Sequence, residues 1–195
     1  GLGLVEETRV LLDLWQVGMD GRTLYLAALE SGRFPNVSAR RLRNMTVEGF
    51  KPRYLVNDAA PAKLLKALQG CLSGREFAQL LFLYTCRANG VLADFVREVY
   101  WPTYAAGRTD LSNVESQAWV KRANQDGKTS SPWSPNMIER VAQYVTGCCH
   151  DFGLLEATGK RVYLYRLAPY RIEPRVAAIL AYDLRIAGRG DNLLL

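Results

Sequence analysis

The chain has one histidine among its 195 residues. His150 has no second imidazole with which to hold a transition metal, and its neighbour Asp151 is the next residue along a helix, so the two point apart instead of forming a dyad. The sequence also lacks a Gly-x-Ser-x-Gly elbow and a Gly-x-x-x-x-Gly-Lys phosphate loop, and its carboxylates are scattered. The expectation is a protein that is not an enzyme and uses no cofactor and no metal. Long hydrophobic runs are missing too: the longest, Phe77 to Cys86, falls far short of the roughly 20 residues of a spanning helix, so no membrane is expected as a partner. The four cysteines, Cys71, Cys86, Cys148 and Cys149, show no Cys-x-x-Cys spacing. They read as reduced core thiols of a cytoplasmic protein, and no signal peptide argues otherwise. Lysine is scarce, six against nineteen arginines, within a net charge of +6. Forked guanidinium groups suit phosphates and base edges, and a basic balance favours an anionic partner, although many soluble proteins are mildly basic without one.

What is present is clearest in residues 133–167. Ser134 is a good N-cap and Pro135 a good first helical residue, while Gly153 can take the left-handed conformation that ends a helix. On a helical wheel Met137, Ile138, Val141, Val145, Cys148, Cys149 and Phe152 share one arc, which is expected to be core. The opposite arc carries Asn136, Glu139, Arg140, Gln143, Thr146, Gly147 and His150. Arginine is the usual fork for guanine, asparagine and glutamine for adenine, so Asn136, Arg140 and Gln143 are candidate groove contacts; an ordinary solvated face is the plainer reading. Leu154 to Leu167 follows as a β-hairpin turning at Gly159, its tip made basic by Lys160 and Arg161. Such a tip can lie along the phosphate backbone, or can simply keep a strand edge soluble. A helix followed by a hairpin is the outline of a winged helix. Ser112-Asn-Val-Glu115 is a capping box that starts a preceding helix to about Asn124, with Val114, Ala118 and Trp119 inward and Lys121 and Arg122 adding charge near the loop. Glu173-Pro174 opens a last helix.

Residues 1–108 read as a helical array, and 109–195 as a winged-helix-like domain with a C-terminal helix, so the fold class is mainly α with a short β-hairpin. In the first domain Leu11, Leu12, Leu14 and Trp15 recur at helical spacing, as do Leu24, Leu26, Ala27 and Leu29. A helix from Ser38 runs to about Lys51, where Pro52 is expected to stop it. Further helices follow from Pro61, over 75–88 and over 91–105, where Pro102 introduces a kink. Arg33 to Arg53 is the most basic stretch, with six cations and one acid, Glu48. Arg40, Arg41, Arg43 and Lys51 fan over the side opposite Leu42, Met45 and Gly49 and form a candidate phosphate-binding face; pairing with the acidic first helices is the alternative.

The Glu6-Glu7-Thr-Arg-x-Leu-Leu opening, the Ser38-Ala-Arg-Arg-Leu-Arg helix, the Phe95-Val-Arg-Glu-Val block and Trp133-Ser-Pro-x-x-x-x-Arg-Val ahead of Gly153-Leu-Leu together resemble the BrxA family of BREX bacteriophage-exclusion systems. The resemblance covers nearly the whole chain. It implies a mostly helical, nucleic-acid-binding accessory protein, likened to the RNA-binding antitermination factor NusB, that acts beside methyltransferase and ATPase partners. Some members carry an inner-membrane label for which this sequence gives no physical reason. The expected function is therefore double-stranded DNA binding, chiefly through phosphates. RNA binding and a protein adaptor within the defence complex are the alternatives.

Overall fold

The computed structural model describes residues 3–129, 131–159 and 164–186. The chain opens with α1 (Val5–Leu14) and α2 (Gly21–Glu30), which bury Leu11, Leu12, Leu24 and Ala28 and leave Leu26 and Leu29 exposed. Next come α3 (Ala39–Arg43), a π-helical segment (Asn44–Phe50) and α4 (Lys51–Tyr54) in one unbroken run. Then follow α5 (Ala60–Leu68) and α6 (Gly74–Ala88). A second unbroken run joins α7 (Gly90–Phe95), a π-helical segment (Val96–Tyr100) and α8 (Trp101–Ala105). Lys66 of α5 reaches back to donate to the carbonyls of Leu12 at 2.9 Å, Asp13 at 3.1 Å and Trp15, acceptors at the end of α1 that helical bonding leaves open.

Pro52 does not stop its helix. Each π-helical segment ends two residues before a proline, Phe50 before Pro52 and Tyr100 before Pro102. A proline inside an α-helix lacks one donor and crowds the carbonyl four residues back; the wider turn makes room for the ring, so the helix continues to Tyr54.

The C-terminal half runs β1 (Asp110–Ser112), α9 (Asn113–Gln125), α10 (Pro135–Asp151), β2 (Leu155–Ala157), β3 (Leu164–Leu167) and α11 (Pro174–Ile186). The strands form an antiparallel sheet in the order β1-β3-β2, with Leu111 opposite Tyr165 and Leu155 opposite Leu167. The hairpin was expected; β1, three residues long, was not. Gly153 has φ 78°, and the amides of Gly153 and Leu154 donate to His150 and Cys149, closing α10 as the sequence indicated. Of the inward set proposed for α9 only Trp119 is buried; Val114 and Ala118 face solvent, and Ser116 and Val120 take the inner positions. Cys148 and Cys149 are core thiols and Cys86 is partly covered, but Cys71 lies exposed in a turn.

One apolar core extends from Leu11 to Val176, crossing from the helical array into the sheet. Phe82 packs on Phe152 and Tyr170, Phe95 on Trp119, and Gln79 donates to the Arg171 carbonyl at 2.6 Å while accepting from the Glu173 amide at 2.9 Å.

Two capping boxes carry an acid dependence. The Ser73 backbone N–H, then its hydroxyl, hold the Glu76 carboxyl below its ordinary range. For Glu115, burial raises the pKa, but the Ser112 amide and hydroxyl and Arg108 outweigh it. A carboxylate lowered by folding contributes stability that is fully present above its unfolded pKa, about 4.3, and is lost as pH falls through the lower folded value. Thermal melts from neutral pH to pH 3 should therefore show a falling melting temperature below about pH 4.3. The loss is expected to be shallower in a Glu76→Gln, Glu115→Gln variant, and an equally steep loss would assign the acid sensitivity elsewhere.

Candidate nucleic-acid interface

Helix α10 is fully buried along one face only in its C-terminal half, and its N-terminal turns rest partly covered on the core through Ile138 and Val141. Ser134 accepts from the Met137 amide at 3.3 Å and sets the start, but the first buried residue is Ala142. Along the turns from Pro135 to Val141, about 10 Å of helix, Ile138 and Val141 rest partly buried against the core, while Asn136, Met137, Glu139 and Arg140 face solvent. Asn136, Arg140 and Gln143 are all exposed, as expected, and Gln143 Nε2 donates to Glu139 Oε1 at 3.1 Å, one turn back. The buried arc is turned from the one read off the sequence. Ala142 and Thr146 enter it and Met137 leaves it, at 45% exposure. Thr146 is buried at little cost because its hydroxyl donates to the Ala142 carbonyl at 2.9 Å.

The exposed face of these turns is aimed by a clasp that no local sequence pattern indicated. Asn124 Oδ1, at the end of α9, accepts from the Trp133 amide at 2.8 Å and from the Thr129 hydroxyl at 3.1 Å, spanning the loop into α10. Glu98 accepts from Trp119 Nε1 at 3.0 Å and from Lys128 Nζ at 3.4 Å, fixing both α9 and the loop to the π-helical segment over Val96–Tyr100. The Trp119 bond is the main reason the Glu98 carboxyl lies below its usual range, with Lys128 and Arg97 adding to it.

The second group of cations lies on the α2–α3 unit. Arg40, Arg41 and Arg43 are exposed and make no ion pair among the described residues. Arg33 does pair with the acidic first helices, meeting Asp13 at 3.0 Å. Lys51 is exposed but lies along the start of α2: a methyl on Gly21 would sit 3.1 Å from Lys51 Cβ and 3.3 Å from the Thr46 carbonyl oxygen, so the two runs approach closely here. The Asp20 carboxyl there is held low by the Thr23 amide and hydroxyl, with a smaller contribution from the Lys51 charge. Arg22, exposed in the first turn of α2, follows Gly21 and adds a cation at the same helix start.

Lys121 and Arg122 are exposed on α9 but line a cleft whose wall includes Glu98 and Glu115, which offset their charge. Lys160 and Arg161 lie outside the described residues. The two cationic groups are linked through the protein: Arg53, buried at the end of α4, lies near enough to Tyr144 and Cys148 of α10 for its charge to act on both. Arg43 is ten residues earlier in the same run, about 15 Å along the helix.

Among the described residues no group of three or more histidine, cysteine, aspartate or glutamate side chains could hold a metal, and no helix is long and apolar enough to cross a membrane. Comparison with known families settles the kinship, because the model of the BrxA family matches residues 1–183. The chain belongs to the BrxA family. It is thus an accessory protein of BREX phage defence, as its sequence motifs implied. Comparison with curated proteins and with solved structures finds no match. The BrxA match ends inside α11, so it takes in both cationic groups and the whole described sheet.

Proposed function

We propose that this BrxA-family protein binds double-stranded DNA, with α10 in the major groove and Arg40, Arg41 and Arg43 on the flanking phosphates. The observation that carries the reading is the exposed polar face of α10. Two turns of helix that rest on the core through Ile138 and Val141, with the loop before them tied by the Asn124 clasp, present Asn136, Arg140 and Gln143 together on their outer face. The strand, helix, helix, strand, strand order with its β1-β3-β2 sheet supports use as a winged helix, whose second helix is the groove reader. Phosphate contacts supply most of the affinity and base contacts the selectivity in such an arrangement. The role is one of binding, in the company of other BREX components and without cofactor chemistry.

The test is a fluorescence-anisotropy titration against labelled duplex DNA, single-stranded DNA and RNA over a salt series. Duplex binding that weakens linearly in log–log form is expected. A preference for RNA, or no binding to any of the three at low salt, would overturn the reading, the second outcome favouring an adaptor. Arg140→Ala, Gln143→Ala should weaken duplex binding by about ten-fold or more, since one good base contact is worth roughly 1–3 kcal/mol. Its melting temperature should stay near that of the parent, because both side chains are exposed.

A further inference from the structure

The exposed face of α10 is not uniformly polar. Met137 and Tyr144, 45% and 44% exposed, are large apolar side chains left in solvent on this helix. They are seven residues apart and so lie close to one line along it. At 100° per residue, Met137 and Tyr144 stand about 60° and 40° to one side of Arg140, and Asn136 and Gln143 about 40° and 60° to the other. Arg140 is therefore flanked by amide forks on one side and by an apolar edge on the other. Arg53 of α4 lies near enough to Tyr144 for its charge to act on the phenol, and Met137 projects from the exposed side of the first turns.

That mixture matches one chemical surface. In the major groove an A·T pair sets the adenine N6 and N7, which an amide fork bonds, beside the thymine 5-methyl group, which takes an apolar contact. We infer that Met137 and Tyr144 read thymine 5-methyl groups, which makes A·T pairs a preferred part of the bound site. The inference rests on the placement of α10 in the groove proposed above. Seven residues rise about 10.5 Å, or about three base-pair steps, so the two side chains meet methyl groups about three pairs apart.

Replacing thymine by deoxyuridine removes the methyl and leaves every phosphate and hydrogen-bonding edge in place. Anisotropy titrations would compare an alternating A·T duplex with its deoxyuridine counterpart. The parent protein should bind the thymine duplex more tightly, by about four-fold for each methyl covered. Met137→Ala should shrink that ratio, and Met137→Ala, Tyr144→Ala should bring it close to one. Equal affinity of the parent for both duplexes, or an undiminished ratio in the double variant, overturns the inference. Should the double variant fail to fold by circular dichroism, Met137→Ala alone decides, since that side chain is exposed. If the duplexes bind equally while Arg140→Ala, Gln143→Ala has lost affinity, the methyl reading falls and the groove placement stands. If that variant also binds like the parent, both fall.

Discussion

Replacing Arg40, Arg41 and Arg43 together by glutamate should all but remove duplex DNA binding while leaving the protein at least as stable as before. Twenty-five cationic and nineteen acidic residues would become twenty-two of each, so the net charge of +6 would vanish. If each arginine neutralises one phosphate, the log–log salt slope should flatten by about 2.7, at roughly 0.9 per phosphate. Stability should move the other way. Ser38 caps α3 and accepts from the Arg41 amide, so Arg40 and Arg41 occupy the first turn, where the helix dipole disfavours cations by roughly 0.3–1 kcal/mol each. Glutamate at position 41 would complete a Ser-x-x-Glu capping box with Ser38. A sequence that places arginines where its own helix prefers acids is accepting a local cost, and a phosphate partner accounts for it. Salt-series anisotropy and thermal melts on the same preparations measure both quantities. Unchanged affinity and slope in a folded variant would remove this helix from the interface.

Features set by neighbours in the chain were legible in the sequence. Ser38, Ser112, Ser134 and Gly153 mark helix ends through bonds within a few residues, and all four do so in the structure. The cationic groups were legible as well, because charge at helical spacing places side chains on a common face. Features set by distant packing were not. The wheel of α10 assumed a buried arc centred on its most apolar residues, but Ala142 and Thr146 are covered by neighbouring elements and Met137 is not. Threonine is easily misassigned in this way, since its hydroxyl can be satisfied by its own helix; Thr46 and Thr85 are likewise fully buried and donate to the carbonyls of Leu42 and Leu81. Strand β1 is only three residues and exists through its partner β3, more than fifty positions away. The Asn124 clasp and the bond between Glu98 and Trp119 also join residues that no local pattern pairs.

Trp119→Ala should produce the largest loss of stability among changes near the interface. Its ring is 7% exposed and packs edge-on to Phe95 with centroids 5.4 Å apart, while Nε1 donates to Glu98. Truncating a buried tryptophan costs about 3–5 kcal/mol. For a chain of this length, at about 2–4 °C per kcal/mol, the melting temperature should fall by roughly 6–20 °C. Trp119→Phe separates packing from the hydrogen bond: it keeps a ring and removes the donor, for about 1 kcal/mol. The bond holds the Glu98 carboxyl below its ordinary range, so its contribution is present at neutral pH and is lost as pH falls through the folded pKa. The difference in melting temperature between the parent and Trp119→Phe should thus narrow below about pH 4. A constant difference down to pH 3 would mean that ring shape, not the bond to Glu98, sets the effect. Binding supplies the functional half of the argument. Glu98 also accepts from Lys128 in the loop that leads into α10, so a slackened Glu98 should loosen the aim of the first turns of α10. Trp119→Phe is then expected to lose duplex selectivity at a temperature where it remains folded, whereas a tryptophan that serves packing alone would leave selectivity unchanged.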